Sequence, residues 1–236
     1  MSRVRRLVLW DVDGTLVAVG EVGRIIFAEA FRAVVGRPPN ELDRTVMAGR
    51  TDHEIALEIL ERHGVQHGER HLPAFAEALA VAMEAKTAQV RERGRALPGA
   101  RAALAAVARR PDVVQSLLTG NIEPNAAVKL ASFELDGFLD FEVGGFGSDD
   151  PHRPNLVAVA RRKAKAKYGV AFGPATTVLV GDTPLDVAAA LAGGARPVAV
   201  ATGPYTVDEL RATGAEAVLP DLRDTQAVVH VLLEQA

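Results

Sequence analysis

The sequence has no cysteine among its 236 residues. Disulfides, thiolate nucleophiles and cysteine-ligated zinc sites are therefore excluded, and any bound metal must rely on oxygen or imidazole ligands. A chain of this length removes roughly 70–75% of its unfolded surface from water on folding, so it needs no disulfide cross-links. The absence of cysteine fits a reducing compartment, and we expect a cytoplasmic protein.

Net charge, aromatic side chains and long apolar runs are also scarce. The formal net charge is −3, and Phe, Trp and Tyr together make up 5% of the chain. No stripe of Lys and Arg residues is interleaved with aromatics, so we expect no nucleic-acid partner. The apolar run that ends at Asp11 is too short for a signal peptide, and no run approaches the length of a membrane span. We therefore expect a small-molecule partner, no membrane association, and a monomer or weak dimer.

Short apolar runs alternate with helical patterns over most of the chain. The runs typical of buried strands are Leu7–Trp10, Val113–Leu118, Thr177–Val180 and Val198–Ala201. The helical patterns are Ala100–Arg109, Asn125–Phe133, Asn155–Tyr168 and Pro184–Ala192. Strands that alternate with helices predict an α/β fold with a doubly wound parallel sheet.

The segment 17–95 interrupts this alternation. Its apolar residues recur at helical spacing, and Thr51 with Glu54 has the spacing of a capping box at a helix start. The turn Leu97-Pro98-Gly99 marks the return to the alternating pattern. We therefore predict an all-helical subdomain over residues 17–95, inserted into a core of residues 1–16 and 96–236. In that position the subdomain can cover the carboxyl edge of the sheet.

Two carboxylates directly follow the first predicted strand, in the sequence Asp11-Val12-Asp13-Gly14-Thr15. Ligands of open α/β sheets gather beyond the carboxyl ends of the strands, and period-two alternation sends Asp11 and Asp13 to the same side. Two crowded carboxylates repel each other unless a cation compensates, and hard oxygen ligands favour Mg²⁺. A solvated turn or a calcium loop is the alternative, but the acidic residues that a calcium loop needs after Asp13 are missing.

Thr119-Gly120-Asn121 follows the predicted strand that ends at Leu118 and precedes a helix that begins near Pro124. A hydroxyl and exposed backbone N–H groups at such a turn suit a phosphate group. Taken alone, this segment is better explained as an ordinary helix cap formed by Asn121.

A third acidic element, Gly181-Asp182-Thr183-Pro184-Leu185-Asp186, lies at the end of another predicted strand. Asp182 is placed to complete a metal site at the same sheet edge. Asp186 has two compatible explanations, because Thr183-x-x-Asp186 with Pro184 at the first helical position is also a capping sequence. It can cap the helix, and it can support the metal site indirectly.

Together, the three motifs resemble those of the haloacid dehalogenase-like superfamily, in particular its phosphoglycolate phosphatase and β-phosphoglucomutase-like branch with a helical cap. The resemblance covers nearly the whole chain: Asp11–Thr15 is similar to the nucleophile motif, Thr119–Asn121 to the phosphate-holding motif and Gly181–Asp186 to the metal motif. It implies a Rossmann-like core, Mg²⁺, an aspartyl-phosphate intermediate and a cap that selects the substrate. The metal site that it implies consists of Asp11, the backbone carbonyl of Asp13, Asp182 and, in support, Asp186.

The family also places a Lys or Arg beside the transferring phosphoryl group, and two residues match here. Lys129 lies on the helix after Thr119, as in relatives with a Thr-Gly-Asn motif, whereas Arg153-Pro154 lies near the Lys-Pro of many members. We expect Lys129 to balance the phosphoryl charge, with Arg153 second, because Arg clamps phosphate but is not a compact point charge. Arg50, in the predicted insertion, is a candidate for contacting an anionic part of the substrate; a plain helix entry is the alternative.

These residues predict hydrolysis of a small phosphomonoester that resembles phosphoglycolate or a sugar phosphate. Asp11 attacks phosphorus, Asp13 acts first as the acid and then as the base, and Thr119–Asn121 holds phosphoryl oxygens. A phosphomutase would use the same residues, and the sequence does not separate it from a hydrolase. A dehalogenase would need neither a metal nor Asp13, and a non-catalytic module that binds a phosphorylated ligand would not need both acids.

Overall fold

The computed structural model describes residues 6–40, 42 and 45–233. Residues 1–5 and 234–236 of the predicted core, and residues 41, 43 and 44 of the predicted insertion, lie outside the described residues. Among the helices described, none combines the length and the apolar character needed to cross a membrane.

The strands and helices alternate along most of the chain. In order, the strands of the described residues are β1 (Arg6–Trp10), β2 (Val17–Ala18), β3 (Arg95–Ala96), β4 (Val113–Thr119), β5 (Gly145–Phe146), β6 (Thr177–Gly181), β7 (Arg196–Val200) and β8 (Ala217–Leu219). The α-helices are α1 (Val22–Val35), α2 (Asp52–Arg62), α3 (Leu72–Ala85), α4 (Thr87–Arg93), α5 (Ala100–Ala108), α6 (Glu123–Ala131), α7 (Asn155–Tyr168), α8 (Pro184–Ala192), α9 (Val207–Arg211) and α10 (Thr225–Leu233).

Six of these strands form one parallel sheet in the order β5-β4-β1-β6-β7-β8. Its central strand β1 is apolar on both faces: Val8 and Trp10 belong to one core cluster, and Leu7 and Leu9 to the other. Helices α5 and α10 supply apolar residues to the first cluster, and α7 and α8 to the second. The predicted α/β fold with a doubly wound parallel sheet is therefore confirmed.

Helices α1–α4 lie between β2 and β3 in the chain, and we call them the helical insertion. Helix α1 packs against α3, and the apolar residues of both join the larger core cluster. The prediction of a purely helical segment from residue 17 to 95 is wrong at its two ends, where β2 and β3 pair as antiparallel strands. Two-residue strands have no measurable periodicity, and their partners are far apart in sequence, so the residue pattern could not indicate them.

The strand order determines which loops meet. Strand β1 lies between β4 and β6, and all three run in the same direction. Their carboxyl ends therefore bring Asp11, Thr119 and Asp182 to one edge of the sheet.

Candidate active site

Asp11 and Asp13 follow the carboxyl end of β1. Asp11 is 4% exposed, and its backbone N–H donates to the carbonyl of Val180 at 2.8 Å. The side chain of Asp13 is 41% exposed. Gly14 has a φ of +83°, and a Cβ there would lie 2.3 Å from a carboxylate oxygen of Asp182. Only glycine satisfies both conditions, so Gly14 permits the chain to turn after Asp13 while the Asp182 carboxylate packs against it.

Asp11, Asp182 and Asp186 form a buried acidic cluster. Each offers one carboxylate oxygen, and these oxygens lie within 4.8 Å of one another. Burial, together with the neighbouring carboxylates, raises the pKa of Asp11 to about 7 and that of Asp182 to about 8. Closely spaced hard oxygen donors of this kind are suited to a divalent cation such as Mg²⁺.

Arg153, which precedes α7, lies against this cluster and is 5% exposed. Its Nη2 donates to Asp11 Oδ1 at 2.7 Å and also to Asp186 Oδ1. Burial alone would lower the pKa of Arg153, but Asp186 and Asp11 raise it above its ordinary value, so the residue is a permanent cation. One guanidinium does not neutralise all the carboxylates of the cluster, so the donor set still suits an added cation.

Asp186 also caps helix α8. Its Oδ2 accepts from the backbone N–H of Thr183 at 3.0 Å and from the Thr183 hydroxyl at 2.7 Å, while Thr183 Oγ1 accepts from the Asp186 N–H. The predicted capping box is therefore confirmed. Because Oδ1 accepts from Arg153, both carboxylate oxygens of Asp186 already have partners within the protein.

A second polar network joins Asp13 to the loop after β4. Lys129 Nζ, on α6, donates to Asp13 Oδ2 at 2.5 Å and to Asn121 Oδ1 at 2.6 Å. Asn121 Nδ2 donates to Asp13 Oδ2 at 2.8 Å and to Thr119 Oγ1 at 2.8 Å. The two candidate cations therefore pair with different acids: Lys129 contacts Asp13, and Arg153 contacts Asp11.

The sequence-predicted residues meet around one cavity of about 670 Å³. Its core wall includes Asp11, Asp13, Thr119, Gly120, Asn121, Lys129, Arg153 and Asp182. The helical insertion and the loop before α2 supply the opposite wall, with Arg24, Phe27, Arg50, Asp52 and Ile55. Asp186 lies behind the cavity, beside Arg153.

Arg50 lines the cavity, but its guanidinium bonds within the insertion. It forms an ion pair with Glu58 and donates to the backbone carbonyls of Val46 at 3.1 Å and Glu54 at 3.2 Å. These contacts favour the alternative that Arg50 organises the entry to α2, although it remains at the cavity wall.

Asp52 is a cavity residue that the sequence reasoning did not assign. It is the first residue of α2, directly after Thr51, whose predicted capping box with Glu54 is confirmed. In the sequence, Asp52 stands out only by its place beside the capping residue Thr51 and close to the candidate Arg50. Nothing in the pattern shows that this helix start faces the loop after β4, because that proximity comes from tertiary packing.

Comparisons with known proteins agree with this architecture. A family profile described as haloacid dehalogenase-like hydrolase matches residues 8–191. A protein named probable phosphatase IndB, from Dickeya dadantii (strain 3937), is 24% identical over 247 residues, which cover 98% of this chain and 96% of that protein. The crystal structure of a hydrolase from Pseudomonas syringae matches with a TM-score of 0.69 at 21% identity, covering 97% of this chain and 99% of that one. A putative β-phosphoglucomutase from Bacteroides vulgatus matches with a TM-score of 0.67 at 19% identity, covering 99% and 93% of the respective chains.

Proposed function

The chain belongs to the haloacid dehalogenase-like hydrolases, and from that premise we propose that it is a Mg²⁺-dependent phosphatase acting on a small phosphomonoester through an aspartyl-phosphate on Asp11. One observation carries the proposal. Asp11, which directly follows the central strand, belongs to a buried acidic cluster, and the separate pair of Asp13 and Lys129 faces the same cavity. This combination supplies a nucleophile, an acid/base group and charge compensation in one place.

The donor set fits Mg²⁺, since carboxylate oxygens within 4.8 Å of one another have one guanidinium to balance them. We assign the ion to Asp11, Asp182 and the backbone carbonyl of Asp13, with Asp186 adding negative charge from behind. When bound there, Mg²⁺ would neutralise negative charge on the phosphoryl oxygens. Thr15 orients one of these ligands, because its hydroxyl donates to Asp182 Oδ1 at 3.0 Å.

In the first chemical step, a carboxylate oxygen of Asp11 attacks phosphorus, and the bond between phosphorus and the leaving oxygen breaks. Asp13 donates a proton to that oxygen as it leaves. In the second step, Asp13 removes a proton from water, which attacks the same phosphorus and displaces Asp11. Inorganic phosphate and the free carboxylate of Asp11 result.

The contacts of Lys129 and the loop after β4 suggest how the phosphoryl group is held. We assign to Lys129 the balancing of phosphoryl charge, with Arg153 second, and to Thr119 and the backbone around Gly120 the binding of phosphoryl oxygens. The helical insertion acts in this proposal as a cap, which limits the access of water to the cavity and contacts the leaving group.

A phosphomutase is the second candidate. The likeness to a putative β-phosphoglucomutase and the cavity of about 670 Å³ support it, since a sugar phosphate fits such a volume. The two activities differ in what accepts the phosphoryl group from Asp11, which is water in a phosphatase and a second phosphorylated sugar in a mutase.

Phosphate release from p-nitrophenyl phosphate and a panel of small phosphate esters, with Mg²⁺ and with excess chelator, tests the proposal. We expect turnover with Mg²⁺ and its loss in chelator, with recovery when Mg²⁺ is restored. Equal turnover in chelator would contradict the metal assignment. Conversion between isomeric sugar phosphates without net phosphate release would favour the mutase.

A further inference from the structure

Asp52 is a buried acid in the cavity that the proposed mechanism does not use. It is 7% exposed and lines the cavity together with Asp11 and Asp13. Its carboxylate does not belong to the acidic cluster, whose members are Asp11, Asp182 and Asp186. A negative charge at the cavity wall affects which substrates can bind there.

Two hydrogen bonds fix Asp52 against the core. Its backbone N–H donates to the carbonyl of Gly120 at 2.8 Å, and its Oδ2 accepts from the backbone N–H of Ile122 at 2.8 Å. Ile122 is the N-cap residue of α6, and its own side chain makes no capping bond. The carboxylate of Asp52 therefore lies at the start of α6, beside the loop that carries Thr119 and Asn121.

One oxygen of this carboxylate is still available. Within the described part of the chain, Oδ2 of Asp52 bonds to Ile122, whereas Oδ1 has no hydrogen-bond partner. The pKa of Asp52 is raised to about 6, because the effect of burial exceeds the opposing effects of Lys129 and of the hydrogen bond from Ile122. Near pH 7.5 the group is consequently ionised, and it presents a buried acceptor to whatever occupies the cavity.

Three of the four cations that line the cavity are already paired with acids. Lys129 is paired with Asp13, Arg50 with Glu58, and Arg153 with Asp11 and Asp186. Arg24 donates to the carbonyls of Leu42 and Thr45, and among the described residues it has no carboxylate partner. Arg24 is therefore the rival that could attract an anionic leaving group.

We propose that Asp52 is a specificity-determining residue that accepts a hydroxyl or ammonium group of the leaving alcohol and rejects leaving alcohols that carry a carboxylate or second phosphate. The inference rests on the proposed phosphatase function, since it concerns the leaving group of that reaction. It favours neutral polyol or sugar phosphates and amino-alcohol phosphates over phosphoglycolate. A like charge beside a buried, partly desolvated carboxylate is disfavoured, whereas a donor satisfies its remaining oxygen.

Three esters of matched size test the inference: 2-hydroxyethyl phosphate, 2-aminoethyl phosphate and phosphoglycolate. They share a two-carbon skeleton and differ in the terminal group. We expect wild-type kcat/KM at pH 7.5 to be about tenfold or more lower for phosphoglycolate than for the other two esters. Asp52→Asn should bring the three values, each divided by that for p-nitrophenyl phosphate, to within about threefold of one another.

Glu61→Gln is the matched control, because it removes one negative charge from an exposed position of the same helix α2. It should keep the wild-type ratios. Asp52→Ser, whose hydroxyl can still accept from Ile122, provides a second variant in case the amide perturbs folding. A wild-type preference for phosphoglycolate, or equal changes for all three esters in both Asp52 variants, would overturn the inference.

A binding measurement separates this inference from the proposed function. Asp11→Asn should not turn over, so calorimetric titration of each ester into that variant reports affinity alone. The same order of affinities without any wild-type hydrolysis would uphold selection by Asp52 and reject the phosphatase assignment. Hydrolysis by the wild type with equal affinities and equal kcat/KM for the three esters would uphold the phosphatase assignment and reject selection by Asp52.

Discussion

At the scale of single residues, charge compensation around Asp11 bears on both the stability of the fold and the proposed chemistry. The buried guanidinium of Arg153 pairs with Asp11 and Asp186, and Asp182 belongs to the same acidic cluster. When all three carboxylates are ionised, one guanidinium leaves net negative charge in a buried site, and uncompensated buried charge is strongly destabilising. We therefore expect the fully ionised cluster to destabilise the metal-free fold.

Asp182→Asn should make the stability of the metal-free protein less dependent on pH. The pKa of Asp182 is raised from 3.8 to about 8, so between these values the native state holds a proton that the unfolded state has lost. The free energy of unfolding of the wild type must then fall as pH rises through this window. Denaturation in chelator at pH 5.5 and 8.5 should show a smaller fall for Asp182→Asn, by about 1–3 kcal/mol. Parallel pH dependences for the two proteins would contradict the account.

Lys129→Met should distinguish the two candidate cations. We expect kcat of Lys129→Met to fall about 100-fold, because the phosphoryl charge is no longer balanced. Lys129 is buried, but the acid that loses its partner is the half-exposed Asp13, so we expect a loss of stability of only about 1–2 kcal/mol. Arg153→Met should cost more stability, about 3–5 kcal/mol, because it leaves Asp11 and Asp186 without their buried partner.

Lys165→Met, on an exposed position of α7, is the control and should change neither quantity. Steady-state kinetics and denaturation of the three variants measure both effects. Nearly normal turnover in Lys129→Met would transfer the phosphoryl-balancing role to Arg153.

The sequence predicts the strand-end acids because a strand followed by Asp-x-Asp has a defined place in an α/β sheet. It does not predict which cation contacts which acid. Lys129 and Asp13 are 116 positions apart, and Arg153 and Asp11 are 142 apart, so their pairing follows from how α6 and α7 pack. The pairing of Arg50 with Glu58 was missed for a similar reason, since a separation of eight residues matches no standard helical pair.

At the scale of elements, the segment before α2 packs tightly against the loop after β4. A Cβ on Gly120 would lie 2.0 Å from the carbonyl oxygen of Arg50, closer than any real contact. The approach depends on glycine, and it places the Asp52 N–H within bonding distance of the Gly120 carbonyl. The loop that holds the candidate phosphate-binding residues is thus positioned partly by the insertion.

Gly120→Ala should displace this segment and lower kcat/KM by about tenfold to a hundredfold, since small misplacements at a reacting centre are costly. Gly137→Ala is the control, because a Cβ at that position meets no atom within 4 Å. It should leave the kinetics unchanged. Kinetics and thermal unfolding of both variants check the prediction, and wild-type kcat/KM in Gly120→Ala would show that the close approach is not required.

The helical content of the insertion and the main strands could be predicted because their apolar periodicity is long enough to recognise. The short strands β2, β3, β5 and β8 could not, since each has two or three residues and depends on a partner elsewhere in the chain. For the interface between the insertion and the sheet edge, the sequence indicates only that the insertion can cover this edge. The contacts of this interface, such as Arg153 Nη1 to the carbonyl of Gly49 at 3.2 Å, are set by tertiary packing.

At the scale of the whole molecule, a doubly wound sheet places three strand ends together, and the helical insertion forms the opposite wall of the cavity. The core supplies the acidic cluster, Asp13, Lys129 and Arg153, and the wall formed by the insertion and the loop before α2 supplies Arg24, Arg50 and Asp52. We infer a division in which the core performs the phosphoryl chemistry and the insertion selects the leaving group. The central claim within it is that Asp11 is the nucleophile.

Trapping the phosphorylated protein tests that claim most directly. In Asp13→Asn, an activated donor such as acetyl phosphate should still phosphorylate Asp11, because its leaving group needs no acid, while hydrolysis stalls without the base. Quenched mass spectrometry should show one added phosphoryl group, on the peptide that contains Asp11 and labile to hydroxylamine, and Asp11→Asn should show none. A label on another peptide, or labelling of Asp11→Asn as readily as the wild type, would contradict the account.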